Sequence, residues 1–363
     1  MVPLVSILIP AYNAERWIGD TIRSALAQTW LRTEVIVVDD GSRDRTFQLA
    51  RQFASKVVSV VTQENQGAST ARNRAFELCQ GDYIQWLDAD DLLASDKIVR
   101  QMEAAEQTGS KRTLISSAWA YFIYSRNRAD FVPTPLWCDL PPVEWLVRKM
   151  GQNLHMPPAT WLVSRELTQA AGSWDTRLTF DDDGEYFCRV VKGSDGIRFV
   201  AGAKTFYRKS GFGSLSDFGQ SKTKLASLFL SMQLHVDHIR SLEDSERVHA
   251  ACLNYLQRRF FRFYPEEVGL VEQLQELAAT LGGRLQIPQL SRKYSWMGNI
   301  LGWRRTQRVR QYYNRAKSFV IRVWDKLLFN FEGKDIADNR GFCENGRLGW
   351  QSAERSKGSL NRS

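Results

Sequence analysis

Two stretches decide how this chain is read: Glu34-Val35-Ile36-Val37-Val38-Asp39-Asp40-Gly41-Ser42 and Tyr83-Ile84-Gln85-Trp86-Leu87-Asp88-Ala89-Asp90-Asp91. In each, a short β-branched or aromatic run gives way to carboxylates. Such runs match buried strands. A bare carboxylate where a buried strand ends is costly unless a cation or a hydrogen-bond donor meets it. A strand that stops in Asp-x-Asp suits a divalent cation, because magnesium and manganese prefer hard carboxylate oxygens.

Working outward, the first hundred or so residues alternate strand and helix. Strand Leu4–Ile9 ends at Pro10, and a helix is expected from about Glu15 to Gln28, with Ile18, Ile22, Ala25 and Leu26 at helical spacing. Strand 34–38 leads to a helix capped by Ser42 or Asp44 and running to Phe53. Strand 57–62, the turn Asn65-Gln66-Gly67 and a helix over 69–78 precede strand 83–87. This alternation predicts an α/β fold: a mostly parallel sheet with helices on both faces. Ligands bind such sheets beyond the carboxyl ends of the strands. Pro10-Ala11-Tyr12-Asn13, Asp39-Asp40 and Asp88–Asp91 all fall on that edge.

Further along, a strand at 112–124 is expected to continue the sheet. A Pro-rich stretch over 127–158 holds a short helix near 143–150, and strand 159–164 is followed by a helix to Gly172. Thr179 to Phe187 carries a second acidic cluster, Asp181-Asp182-Asp183. A strand near 198–206 leads to Tyr207-Arg208-Lys209-Ser210 and a Gly/Ser loop to Ser216, a segment able to close over a bound ligand. Beyond Ser221 helices are expected over 222–241, 245–264, 266–281 and roughly 307–331. The tail, 333–363, is polar and reads as poorly ordered. His235 and His238, three apart on a helix without a third ligand nearby, read as a solvated face.

Composition narrows the class. The chain has 363 residues, 43% hydrophobic and 25% charged, which fits a globular protein and excludes wholesale disorder. Its five cysteines are dispersed without a CxxC pair, which favours free thiols in a reducing compartment. The opening Leu4-Val5-Ser6-Ile7-Leu8-Ile9 reads as a core strand and not as a signal peptide, and no apolar run reaches the ~18–20 residues of a membrane-spanning helix. The net charge of +9 is local: between Ser291 and Phe331 ten Lys/Arg accompany one acid, Asp325.

The ordered motifs PAYN, VVDDGS, NQGASTARN and DADD resemble the inverting family-two glycosyltransferases, nucleotide-sugar-dependent enzymes of GT-A (Rossmann-like) fold. The resemblance spans about residues 1–216. It implies a GT-A domain there; the residues beyond it read as a helical extension over 217–332, with a basic amphipathic helix near 304–331, and the tail 333–363. It also implies a nucleoside pocket lined by Pro10, Tyr12 and Asn13, with Asp40 and Asp39 accepting from the base. Arg72 would face the nucleotide. Asp88 and Asp90 would flank the ribose and the metal, Mn2+ or Mg2+, with Asp90 or Asp91 as direct ligand. The Gly172-Ser173-Trp174-Asp175 turn then places Asp183 as the base, with Asp182 as its acceptor-binding partner.

The chain departs from the family pattern in three places. Asp182 stands for Glu, Gly184 for the usual aromatic, and Tyr207-Arg208-Lys209 for a segment that often holds His. Lys209 or Arg208 could contact the diphosphate instead. The implied activity is transfer of a sugar, UDP-linked, to a hydroxyl of a glycan or lipid-linked acceptor, as in cell-surface polysaccharide synthesis. Two other readings stay open: a non-catalytic nucleotide-sugar or glycan-binding module, and a nucleotidyltransferase, although Pro10–Asn13 is not the phosphate loop the latter needs. The enzyme is expected to be cytoplasmic, and the basic segment 291–331 reads either as an amphipathic helix packed on its own protein or as an interfacial helix on anionic lipid, which would make it peripheral on the cytoplasmic face of the membrane. No nucleic-acid-binding module surrounds it.

Overall fold

The computed structural model describes residues 2–209 and 221–287, together with helical positions 309, 313, 319–321, 323–326 and 329. The chain divides into two units: residues 1–122 with 128–289, and residues 123–127 with 290–363. In chain order the first unit contains β1 (Val5–Ala11), α1 (Ile18–Leu26), β2 (Thr33–Asp39), α2 (Thr46–Arg51), β3 (Val58–Thr62), α3 (Ala68–Leu78), β4 (Tyr83–Trp86) and β5 (Leu92–Leu93). It continues with α4 (Lys97–Thr108), β6 (Thr113–Phe122), α5 (Pro142–Gln152), β7 (Val163–Ser164), α6 (Arg165–Ala171), α7 (Asp182–Gly193), β8 (Gly196–Arg208), α8 (Lys222–Arg240), α9 (Glu246–Phe260) and α10 (Val268–Thr280).

A five-stranded sheet has the order β3-β2-β1-β4-β7, parallel except for β7 against β4. Side chains alternate along its strands, and both sides are apolar. Val5, Ile7 and Ile9 of β1, with Val35 and Val37 of β2, pack with Ile18, Ile22 and Ala25 of α1. Leu8, Ile36 and Val38 point the other way, into a core shared with Ala71 and Ala75 of α3. A sheet covered on both faces reads as continuous hydrophobic runs, which is why β2 is Val-Ile-Val-Val. The GT-A architecture implied by the resemblance is therefore the one observed.

Strand β6 corrects one expectation. It does not extend the main sheet, because β7 already pairs with the free side of β4. Instead β6 runs parallel to β8 in a second, three-stranded sheet of order β5-β8-β6. The strand expected over 159–164 shrinks to two residues, since Pro157 and Pro158 lead into a 3-10 turn over Pro158–Thr160. Between the sheets Lys97 of α4 is fully buried, its Nζ donating to Gln85 Oε1 (2.5 Å) and Gln101 Oε1 (2.6 Å). Burial pulls its pKa well below the usual lysine range.

Helices α8, α9 and α10 bury Leu228, Met232, Val236, Leu256 and Leu274 in the same core as Trp86, Trp145 and Trp161. In the second unit the Tyr124 amide donates to Asp325 Oδ2 at 2.9 Å. The loop expected over 210–216, most of the basic helix near 304–331 and the tail 333–363 lie outside the described residues. No described helix is long and apolar enough to cross a membrane.

Candidate active site

The carboxyl ends of β1, β2 and β4 meet the start of α7 and the end of β8. On the β1 side, Asn13 has a left-handed φ of 49°, and its amide donates to Ser42 Oγ (2.9 Å) while its Oδ1 accepts from the Arg43 amide (2.9 Å). Tyr12 is exposed and Pro10 ends the apolar run of β1.

The two aspartates after β2 separate in role. Asp40 is buried and saturated. Its Oδ1 accepts from Gln63 Nε2 (2.8 Å) and the Gln66 amide (3.0 Å), and its Oδ2 from the Gly67 amide (2.8 Å) and Asn65 Nδ2 (3.2 Å). It pins loop 63–67 ahead of α3. Asp39 is equally buried, with Oδ2 accepting from the Ser42 amide (3.2 Å) and Thr62 Oγ1 (3.0 Å), but its Oδ1 has no partner. Of the pair expected to read the base, Asp39 retains the unused acceptor. Gly41 between them and Ser42 is required: it has φ +68°, and a Cβ there would lie 2.9 Å from the Asn65 nitrogen.

Arg72 departs from expectation. Its guanidinium does not stand open toward a nucleotide. One arm donates to Asp182 Oδ2 (2.7 Å) and the other to Asp88 Oδ1 (2.9 Å), and its face lies 4.3 Å from the Trp174 ring centroid. Burial opposes its charge, but Asp182 and Asp88 outweigh that and raise its pKa further. The next residue, Asn73, exchanges two hydrogen bonds with the backbone of Trp174, at 3.0 and 2.8 Å. Two residues of the NQGASTARN motif thus bind the Gly172–Asp175 turn and the acidic cluster behind it to α3.

That cluster forms the first turn of α7, where carboxylates are favoured by the helix dipole. Asp181 precedes it in a left-handed conformation, φ 60°, with Oδ2 accepting from Ser231 Oγ at 2.6 Å. A Cβ on residue 184 would sit 2.5 Å from Asp181 Oδ1, so a side chain there would require Asp181 to shift. Burial, then Asp182 and Asp181, push the Asp183 carboxyl up to about 7. A carboxyl with that value suits a general base near neutrality.

After β4, Asp91 turns inward and is fully buried. Its Oδ1 accepts from the Arg208 amide (2.8 Å), and its Oδ2 has no partner. Burial, with Asp90 and Asp88 beside it, raises its pKa well above the carboxylate range. Arg208 is not open to a diphosphate: its Nε donates to the Asp90 carbonyl (2.7 Å) and its guanidinium lies 4.2 Å from the Trp17 and Phe122 ring centroids. Lys209 is exposed, with Nζ 3.9 Å from the Tyr121 ring centroid. Among the described residues no three His, Cys, Asp or Glu side chains surround one ion position.

Several residues here carry no assigned role in the motifs. Tyr207 lies among the carboxylates; burial, then Asp91, Asp88 and Asp183, raise its pKa. The position after the last strand was its one signal. Beside Asp183 a cavity of about 150 Å³ is lined by Trp145, Lys149, Trp161, Phe187 and Arg259, among others. No motif marks these residues. The expected solvated face at His235 and His238 is corrected: His235 is buried, between the Ser231 carbonyl (Nδ1, 2.8 Å) and Lys149 Nζ (Nε2, 3.1 Å). His238 Nε2 meets Glu185 Oε1 at 3.1 Å. Their apolar neighbours at helical spacing turn this side of α8 into the core.

Such a parallel α/β sheet with carboxylates at its strand ends belongs to a class that comparison with known proteins narrows. Residues 6–167 match the Glycosyl transferase family 2 model. The chain is 32% identical over 185 residues to a Bacillus subtilis protein named uncharacterized glycosyltransferase EpsJ, covering 50% of this chain and 53% of that one. It is 42% identical over 142 residues to the putative teichuronic acid biosynthesis glycosyltransferase TuaG of B. subtilis, covering 38% of this chain and 54% of the other. The chain thus spans about half the length of these curated relatives. The crystal structure of S. aureus TarS 1–349 in complex with UDP-GlcNAc shares the fold, with a TM-score of 0.60 and 19% identity over 77% of this chain and 81% of that one.

Proposed function

We propose that this chain is an inverting glycosyltransferase that moves a sugar from a UDP-linked donor to a hydroxyl of a glycan or lipid-linked acceptor. The observation that carries this reading is the Arg72 bridge. It joins Asp88, on the donor side, to Asp182, next to the base Asp183 that lines the cavity.

In this scheme Tyr12, Pro10 and Asn13 flank the nucleoside and the unused Oδ1 of Asp39 accepts from the base. The UDP-GlcNAc complex of the structurally similar TarS supports a UDP-sugar donor. The acceptor enters the cavity beside Asp183. Its hydroxyl oxygen attacks the anomeric carbon from the face opposite the leaving group, and its proton passes to Asp183. The bond between the anomeric carbon and the phosphate oxygen breaks, and the nucleoside diphosphate departs. Asp182 orients the acceptor, with Ser69 Oγ (3.3 Å) and Arg72 holding its carboxylate in place. Lys209, exposed just after β8, contacts the diphosphate in this scheme.

A divalent cation, Mn2+ or Mg2+, fits the residues present. Asp88, Asp90 and Asp91 share one turn, and Asp91 Oδ2 is a buried carboxylate oxygen without a hydrogen-bond partner. Asp90 and Asp88 would hold the ion, with Asp91 behind them. Such ions are commonly held by one or two carboxylates plus substrate phosphates, so a three-residue protein cage is not needed. When bound, the ion offsets the charge of the leaving diphosphate. A panel of nucleotide sugars in thermal-shift assays, with and without Mn2+, tests the donor class: a native-state ligand raises the melting point. No shift with any UDP-sugar would defeat this reading.

We further propose peripheral attachment to an anionic, cytoplasmic membrane face through 291–331. In support, Phe319, Val320 and Trp324 are 62%, 64% and 65% exposed in a segment of net charge +9.

A further inference from the structure

Strand β6 ends in an aromatic face that the core does not use. Its last residues alternate: Ala118, Ala120 and Phe122 are buried, while Trp119 is half-buried and Tyr121 is 43% exposed. The buried side has its partners, with the Phe206 ring of β8 5.5 Å from that of Phe131 and 6.2 Å from that of Phe122. On the other side four rings form one patch. Trp119 meets Tyr121 at 4.8 Å, His155 at 5.7 Å and Tyr207 at 6.1 Å between centroids. Tyr207 in turn meets Tyr121 at 5.5 Å and His155 at 5.9 Å, and all five contacts are edge to face. Lys209 Nζ stands 3.9 Å from the Tyr121 centroid, at the rim of the patch.

Cross-strand pairing accounts for Tyr121 opposite Tyr207. It does not account for the exposure of Tyr121, nor for His155, which comes from the loop after α5 to pack against two of the rings. The patch also runs into the candidate active site. His155 lines the cavity beside Asp183. Tyr207 lies among the carboxylates, and the amide of the next residue, Arg208, donates to Asp91 Oδ1 at 2.8 Å. Rings with polar tips and a cation at the rim suit a ligand with apolar C–H faces and a hydroxylated edge. A pyranose has that form. An alkyl chain has no hydroxyls to offer Tyr121, Tyr207 and Lys209.

We propose that this aromatic face is an acceptor subsite, which stacks a pyranose ring of a saccharide chain beyond the sugar whose hydroxyl faces Asp183. The inference rests on the glycosyltransferase reading and narrows its acceptor to the end of a glycan chain. Trp119 and Tyr121 supply the ring faces for the outer sugar. His155 and Tyr207 join this subsite to the cavity and the carboxylates.

The test titrates the full chain, with UDP and Mn2+ present, against methyl glucoside, octyl glucoside and the trisaccharides cellotriose, maltotriose and chitotriose. At least one trisaccharide should bind about tenfold tighter than methyl glucoside. Trp119→Ala and Tyr121→Ala should each cut that trisaccharide's affinity by roughly three- to tenfold and leave methyl glucoside unchanged, with Trp119→Phe keeping part of the gain. Both alanine variants should bind UDP as the parent does; if Trp119→Ala loses UDP as well, Tyr121→Ala, at the exposed position, decides. Trisaccharides that bind no tighter than methyl glucoside, or a gain that survives Tyr121→Ala, overturn the inference. A gain confined to octyl glucoside also overturns it and assigns the face to an alkyl chain. UDP affinity, read in the same samples, separates the two levels: UDP binding without a trisaccharide gain sinks this inference alone, whereas absence of UDP binding by the parent chain sinks the glycosyltransferase reading.

Discussion

Asp88 and Asp182, from opposite sides of the site, share one guanidinium: Arg72 reaches the first at 2.9 Å and the second at 2.7 Å. The Arg72 side chain is only 6% exposed, so this bridge is largely shielded from water. Arg72→Met should destabilise the protein by about 3 kcal/mol, because it leaves two partly buried carboxylates without a counter-charge. Arg72→Lys keeps the charge but cannot fork, so it should recover part of the stability and little of the turnover. Urea unfolding and steady-state rates measured side by side check both halves.

The raised pKa of Asp183, about 7, predicts the pH profile. Its carboxyl must be ionised to take a proton, so turnover should climb as pH rises through about 7 and level off above it. Asp183→Asn should lower turnover by roughly 10²–10⁴-fold at every pH. The stability effect has the opposite sign. The native state holds this proton more tightly than the unfolded chain, whose value lies near 3.8, so stability falls as pH rises from about 4 through 7. Melting curves should show Asp183→Asn losing that decline. A flat rate profile between pH 6 and 8 would remove Asp183 as the base.

The two aspartates after β2 should separate experimentally. Asp40→Ala strips the acceptor from four donors of loop 63–67 and should cost on the order of 2–4 kcal/mol. Asp39→Asn keeps an oxygen for Ser42 and Thr62 but turns the spare acceptor into a donor. It should weaken UDP binding about tenfold while barely moving the melting point of the unliganded protein. Calorimetric titration of UDP into both variants distinguishes them.

Removing divalent ions should silence transfer. Incubation with EDTA is expected to abolish release of nucleoside diphosphate, and added Mn2+ or Mg2+ to restore it. Asp90→Ala should resist that rescue. Full turnover in EDTA would exclude a metal role for Asp88 and Asp90.

The basic segment predicts a salt-sensitive attachment. A protein truncated before Ser291 should no longer sediment with phosphatidylserine vesicles, while the full chain should be released from them by raised ionic strength. Equal sedimentation of both proteins would defeat the membrane proposal.

Much of the main sheet was legible in the sequence because strand identity is local. Val35 to Val38 are apolar on both faces, and Asp39-Asp40 and Asp88 to Asp91 mark where the strands stop. The location of β6 was not legible, since its partner β8 lies far along the chain and the edge beside β4 was claimed by the two residues of β7. His235 misled because helical spacing tells which residues share a face, not what that face meets. The charges of Asp181 to Asp183 were visible, but not that they open α7.

The sheet, the edge at its strands' carboxyl ends and the carboxylates along it follow from the strand period and from residues adjacent in the chain. What those carboxylates meet emerges from packing alone. Packing gave Arg72 two partners, left Asp39 with a spare oxygen, and brought Lys149 of α5 and Arg259 of α9 to one cavity with Asp183. Hydrogen bonds and close ion pairs act over a few ångströms in space, and residues this distant along the chain become neighbours only when the core closes around them.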